Sequence, residues 1–139
     1  MNVAMPIAES SHTPVQTPTP TPRLREEGLT DSDRHFAIAM HISPIALTLL
    51  GAAPLGLIAP LVLWAVRKKH SAFDDDHGRE VINFGISFFL WHLVLAITIV
   101  GVVLWPVLWI VGIVNNIRGA VHAGRGEYFR YPMTIRFLS

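Results

Sequence analysis

Between Phe36 and Val66, and again between Val81 and Ile117, no residue carries a fixed charge. At about 1.5 Å of rise per residue these stretches would run roughly 45 Å and 55 Å as single helices, against a hydrocarbon slab of about 30 Å. Each is too long for one crossing. Each also carries punctuation near its middle, "GAAPLG" at Gly51 to Gly56 and "GVVLWP" at Gly101 to Pro106, where glycine loosens a helix and proline suits a new first turn. The pattern predicts an all-α integral membrane protein of four transmembrane helices arranged as two helical hairpins, at about 31–50, 54–69, 76–103 and 106–122. Thr30 and Asp33 stand at capping-box spacing before the first helix, and Pro60 is expected to bend the second. Asp74 to Asp76 are expected to cap the third and place negative charge at its positive end, with Gly124 and Gly126 stopping the fourth. The second and fourth helices are short, so tilt or local thinning of the bilayer is expected.

Composition agrees with that solvent. The chain is 51% hydrophobic and 15% charged, with a mean hydropathy of +0.43, where a soluble domain carries about 25% charged residues. In a four-span arrangement all eleven lysines and arginines fall on one side, together with both termini and the loop from Arg67 to Glu80. The positive-inside rule makes that side the cytoplasm and the location the cell inner membrane, crossed several times. A two-span reading would send "RKKH", Arg67 to His70, away from the other basic groups. The net charge of +1 offers no field for nucleic acid. The absence of cysteine removes disulfides, thiolate metal sites and cysteine nucleophiles. Residues 1–29, with "TPVQTPTPTPR", read as a disordered proline- and threonine-rich tail without the apolar run of a secretory signal. Residues 124–139 read as an interfacial segment. Tyr128, Phe129 and Tyr131 suit the headgroup layer, Arg125, Arg130 and Arg136 suit anionic phosphates, and Tyr131 before Pro132 favours extended backbone.

The chemistry concentrates where the third helix begins. In "HGREVINF", His77, Glu80, Phe84 and Ser87 follow at three- and four-residue spacing on one face with Asn83 beside them. Such a cluster at the membrane boundary serves as a gate, a proton relay or a partner contact. The plainer reading has His77 and Glu80 pairing with Arg125 or Arg130 across the bundle to seat the helices. Arg125, Glu127, Tyr128, Arg130, Tyr131 and Pro132 complete a candidate docking face with His77, Glu80, Asn83 and Phe84. His41 and His92 lie deeper, at comparable depths if their helices face each other. That placement fits a pair of axial haem ligands, and equally two histidines hydrogen-bonded inside the bundle. No second signature supports haem, and His77 with Glu80 is one pair of ligands where metal sites use three or four. No cofactor and no metal is expected. Without a nucleophile or paired carboxylates, neither is enzymatic activity. Asn115 and Asn116 are expected to bond between helices or to cap.

Taken in order, "MHIS" in the first helix, "HGREVINF" opening the third and "GRGEYFRYPMTIRF" after the fourth resemble the bacterial four-span family related to the twenty-kilodalton subunit of the chloroplast inner-envelope protein translocon. The likeness covers about Asp33 to Leu138. It rests on His77, Glu80, Asn83 and Phe84, then on Gly126, Glu127, Tyr128, Tyr131 and Pro132; Gly85 stands where that family usually has glutamine. The resemblance implies a four-helix membrane fold and, through the plant relative, a part in protein translocation. Three functional classes follow: an interaction or accessory component of a membrane assembly, a small homo-oligomeric channel or transporter, and a haem-binding redox protein. The expected partners are the lipid bilayer and either a membrane protein or further copies of the chain.

Overall fold

The computed structural model describes residues 24–52 and 55–139. Among them are four helices: α1 (Asp31–Leu49), α2 (Ile58–Arg67), α3 (Ala72–Ala96) and α4 (Ile99–Gly124). Helix α1 packs on α3, and both α2 and α4 pack on that central pair. Two of the four, α3 and α4, are long and apolar enough to cross a membrane. Only 22% of the apolar stretch of α4 is buried, so most of that stretch lies on the surface of the fold. The outward side chains of α4 before Arg118 are mostly aliphatic, with Ile99 93% and Val102 73% exposed. Helix α2 has ten residues, about 15 Å or half a hydrocarbon slab.

Helix boundaries follow local hydrogen bonding more than glycine and proline. Thr30 opens α1 by accepting from the Asp33 N–H at 3.2 Å, and Asp33 Oδ2 accepts from the Thr30 N–H at 3.0 Å. The expected start of the second helix, Pro54, lies outside the described residues. Pro60 does not bend α2; it falls in the first turn, where no earlier carbonyl awaits an N–H. Helix α3 begins earlier than the three aspartates suggest, because Ser71 is its cap, accepting from Asp74 N–H at 3.3 Å. It also ends earlier. Thr98 caps α4 through Gly101 N–H at 3.1 Å, so the turn is Ile97 and Thr98, and Pro106 sits inside α4 rather than at its start. Gly101 is there for space, since a side chain would meet the Leu95 carbonyl across that turn.

The part of the polar N-terminal segment within the described residues is ordered by pairing. Glu26 N–H donates to the Gly126 carbonyl at 2.9 Å, and Tyr128 N–H donates to the Leu24 carbonyl at 3.1 Å. Both buried apolar clusters lie at this same end, one around Met40, Val81, Phe84, Phe129 and Tyr131, the other around Ala37, Phe73 and Ala123. Arg67 joins three helices there: its guanidinium donates to Asp33 of α1 at 2.6 Å and Asp74 of α3 at 2.8 Å, and lies over the Phe36 ring. Trp64 Nε1 adds a bond to Asp75 at 2.8 Å. Among the described residues, the side-chain hydrogen bonds between helices join His41 to His77, Trp64 to Asp75 and Arg67 to Asp33 and Asp74, all in the half that holds this charged end.

Candidate functional site

The site forms because one face of α3 is polar and nevertheless buried. His77, Glu80, Asn83 and Ser87 are each at most 4% exposed. Water therefore does not solvate them, and their hydrogen bonds must come from the protein. Two networks supply these bonds, except at His77 Nε2, which has no hydrogen-bond partner among the described residues.

The first begins at Asn116 of α4. Its Nδ2 donates to the Gly112 carbonyl one turn earlier at 3.0 Å, which turns Oδ1 toward the Tyr131 hydroxyl at 3.1 Å. A phenol has one proton. With that proton given to Asn116, Tyr131 Oη accepts from Nδ1–H of His41 at 2.6 Å. A neutral imidazole has one N–H, which leaves His41 Nε2 to accept from Nδ1–H of His77 at 2.8 Å. In this tautomer the bonds run in one direction, from His77 of α3 through His41 of α1 and Tyr131 to Asn116 of α4. Gly119 makes room for it: a Cβ at that position would stand 2.7 Å from Cε1 of His41.

The second network seats the segment after α4 on α3. Glu80 Oε2 accepts from Tyr131 N–H at 3.3 Å; Oε1 accepts from Arg136 Nε at 3.1 Å and faces Arg130 Nε at 3.7 Å. Asn83 Oδ1 accepts from the N–H groups of Phe137 and Leu138 at 3.0 and 2.9 Å, and its Nδ2 donates to the Leu138 carbonyl at 2.9 Å. Ser87 Oγ accepts from Ile135 N–H at 2.8 Å, and Trp91 Nε1 donates to the Met133 carbonyl at 3.3 Å. Positions 83, 87 and 91 are about 6 Å apart along a helix, close to the roughly 6.6 Å that two extended residues span. An extended chain therefore finds one polar side chain for every second residue.

Charged groups close the open edge. Arg130 donates to both oxygens of Asp76 at 2.5 and 2.7 Å, which raises its pKa above the ordinary arginine range. Partial burial, reinforced by the bond from its hydroxyl to Glu26 at 2.8 Å, pushes the Tyr128 phenol up to about 12. His122 Nδ1 and Glu127 Oε2 stand 2.7 Å apart. Among the described residues, no three His, Asp or Glu side chains are grouped to hold a metal ion.

The structure brings together His77, Glu80, Asn83, Arg130 and Tyr131, with Phe84 stacked on Tyr131 at 4.2 Å between ring centroids. Pro132 forms the turn beyond them. Arg125 caps α4 and pairs with neither His77 nor Glu80, because His77 bonds to His41 and Glu80 to Arg130 and Arg136. Phe129 and Tyr131 are not headgroup aromatics; at 6% and 3% exposure they belong to the core. His41 and His92 do not form a pair. His92 bonds to its own helix at the Phe88 carbonyl, 2.8 Å away, and packs against Phe88, Trp105 and Trp109. Asn115 likewise bonds within α4, to Val111. Sequence reasoning missed Asn116 as the terminus of the first network and Arg67 as the bridge between α1, α2 and α3. For Asn116 the signal was an amide in an otherwise apolar helix; for Arg67 it was an arginine alternating with acidic residues on two other helices.

Residues 32–138 match the family model described as the magnetosome magnetite crystal formation protein family, MamF/MmsF. That match overturns the translocon likeness. The residues on which the likeness rested seat the segment after α4 against α3, a packing task that is not specific to a translocon subunit. No curated protein and no solved structure matches the chain.

Proposed function

Because this chain belongs to the magnetosome magnetite crystal formation protein family, we propose that it is a multi-pass component of the magnetosome membrane that acts in magnetite crystal formation as an accessory, non-enzymatic protein. The family match, over residues 32–138, carries the proposal. The exposed apolar surfaces of α3 and α4 support the membrane setting. In this reading α1 with α2 and α3 with α4 are two hairpins, the short α2 crossing with local thinning of the bilayer. The end that carries Asp33, Arg67, Asp76 and Arg130 faces the cytoplasm by the distribution of basic residues. That end, organised by Glu80, is the surface offered to another membrane protein of the mineral-forming assembly.

The test is genetic. In a magnetite-forming bacterium, deletion of the gene is expected to change crystal size or number in electron micrographs, and the intact gene is expected to restore them. A fluorescent fusion should colocalise with the crystal chain. Unchanged crystals in the deletion strain, with the fusion elsewhere in the cell, would sink the proposal.

A further inference from the structure

One residue holds both limbs of the segment Arg130 to Arg136. Glu80 Oε1 accepts from Arg136 at 3.1 Å and faces Arg130 at 3.7 Å, while Arg130 also grips Asp76. Between the two arginines the chain reverses at Pro132 and Met133, where Met133 takes a left-handed φ of 59°. Met133 is three residues from either arginine, an extended reach of about 10 Å. The reach is directed along α3, away from its charged start, because the Met133 carbonyl meets Trp91 Nε1 at 3.3 Å. A tryptophan on a helix leans back toward the N-terminus, which shortens the distance left to cover.

Non-helical backbone is tolerated at membrane depth only where protein groups satisfy it. At the tip they do. Pro132 has no N–H, its carbonyl accepts from Thr134 Oγ1 at 3.4 Å, and Met133 has Trp91. On the returning limb, Ser87 and Asn83 take the N–H groups of Ile135, Phe137 and Leu138. The side chains left outside are apolar: Met133 is 61% exposed and Phe137 51%. Arg130 and Arg136 are half exposed, as arginines at the phosphate layer would be.

We propose that Arg130 to Arg136 is a loop that dips into the bilayer, with its arginines at the lipid phosphates and its Pro132–Met133 tip among the acyl chains. Its partner is lipid. The inference rests on the reading of α3 as a membrane span, and it replaces a segment lying flat on the surface with one that enters the bilayer.

The chain has no cysteine, so single cysteines can carry nitroxide labels. Met133→Cys reports the tip, Val94→Cys the hydrocarbon reference on α3, and Lys69→Cys the aqueous reference. In vesicles of phosphatidylethanolamine and phosphatidylglycerol, the Met133 label is expected to collide with oxygen as the Val94 label does. It should also be several-fold less accessible than the Lys69 label to an aqueous nickel chelate. A Met133 label as open to nickel as Lys69, with Val94 shielded, overturns the loop and leaves the span standing. A Val94 label open to nickel overturns the span and the loop with it. Ile135→Cys gives a second reading of the returning limb, expected between the two references. Adding Glu80→Gln to Met133→Cys should raise nickel access by freeing both limbs; unchanged shielding would remove Glu80 from the account.

Discussion

Replacing Tyr131 by phenylalanine deletes one oxygen from a site that water does not reach. His41 is fully buried and Asn116 is 7% exposed, so solvent cannot fill in for the hydroxyl between them. His41 has a way out: its proton can move from Nδ1 to Nε2 and be donated to His77, provided that His77 offers a lone pair at Nδ1. Asn116 has none, because its Nδ2 is held by the Gly112 carbonyl. The substitution therefore leaves one bare buried acceptor, at about 1–3 kcal/mol, and opens no cavity because the ring is kept. A loss of about 2 kcal/mol is expected, roughly 30-fold in the ratio of folded to unfolded protein. Detergent-titrated unfolding in mixed micelles, followed by fluorescence of the four tryptophans, reads this directly. Nitrogen-15 spectra of the histidines should place the His41 proton on Nδ1 in the parent and on Nε2 in Tyr131→Phe. Adding Asn116→Leu should recover part of the loss, since removing both partners is cheaper than removing one. A change within about 0.5 kcal/mol, the range of an unremarkable surface substitution, or a parent protein with its His41 proton already on Nε2, would refute the one-way chain.

Other consequences can be checked separately. Gly119→Ala drives a methyl group into the His41 ring and is expected to cost about 1–3 kcal/mol in the same unfolding assay. Asn83→Ala should accelerate amide hydrogen exchange at Phe137 and Leu138, which lose their shared acceptor, while exchange in the middle of α3 stays slow. Thr98→Ala removes the cap of α4, an expected cost of about 1 kcal/mol by unfolding. Tyr128 should ionise near pH 12 in a phenolate absorbance titration. Because its folded pKa lies above the unfolded value of about 10, the stability it contributes is complete below pH 10 and is lost as the pH rises toward 12.

Charge and hydropathy made the long apolar helices and the polar start of α3 legible, because burial in lipid or in water acts on every residue of a segment. The joints were harder. Gly101 and Pro106 suggested a turn that Thr98 makes earlier, since a hydroxyl cap fixes a helix start more firmly than a proline that fits inside the helix. Ser71 likewise set the start of α3 ahead of three aspartates. Glu80 meeting an arginine was foreseeable from complementary charge at one membrane face; its second partner, Arg136, was not singled out. The first network was legible only in its pieces, His41 and Asn116 as groups bonded inside the bundle, and not in the link between them. Its key bond joins residues 90 positions apart, and Tyr131, flanked by arginine and proline, has the local look of a headgroup aromatic.

The restriction of inter-helix hydrogen bonds to the charged end has a mechanical consequence. At Leu49, Ala96 and Ile99 the side chains are aliphatic and exposed and, among the described residues, no inter-helix hydrogen bond joins them, whereas Arg67, His41 and Glu80 bind the opposite end with directional bonds. A bundle so built behaves as a pair of tongs with a stiff pivot and compliant tips. In the membrane setting proposed above, a thinner or more strongly curved bilayer would act first on the unbonded tips and last on the bonded end.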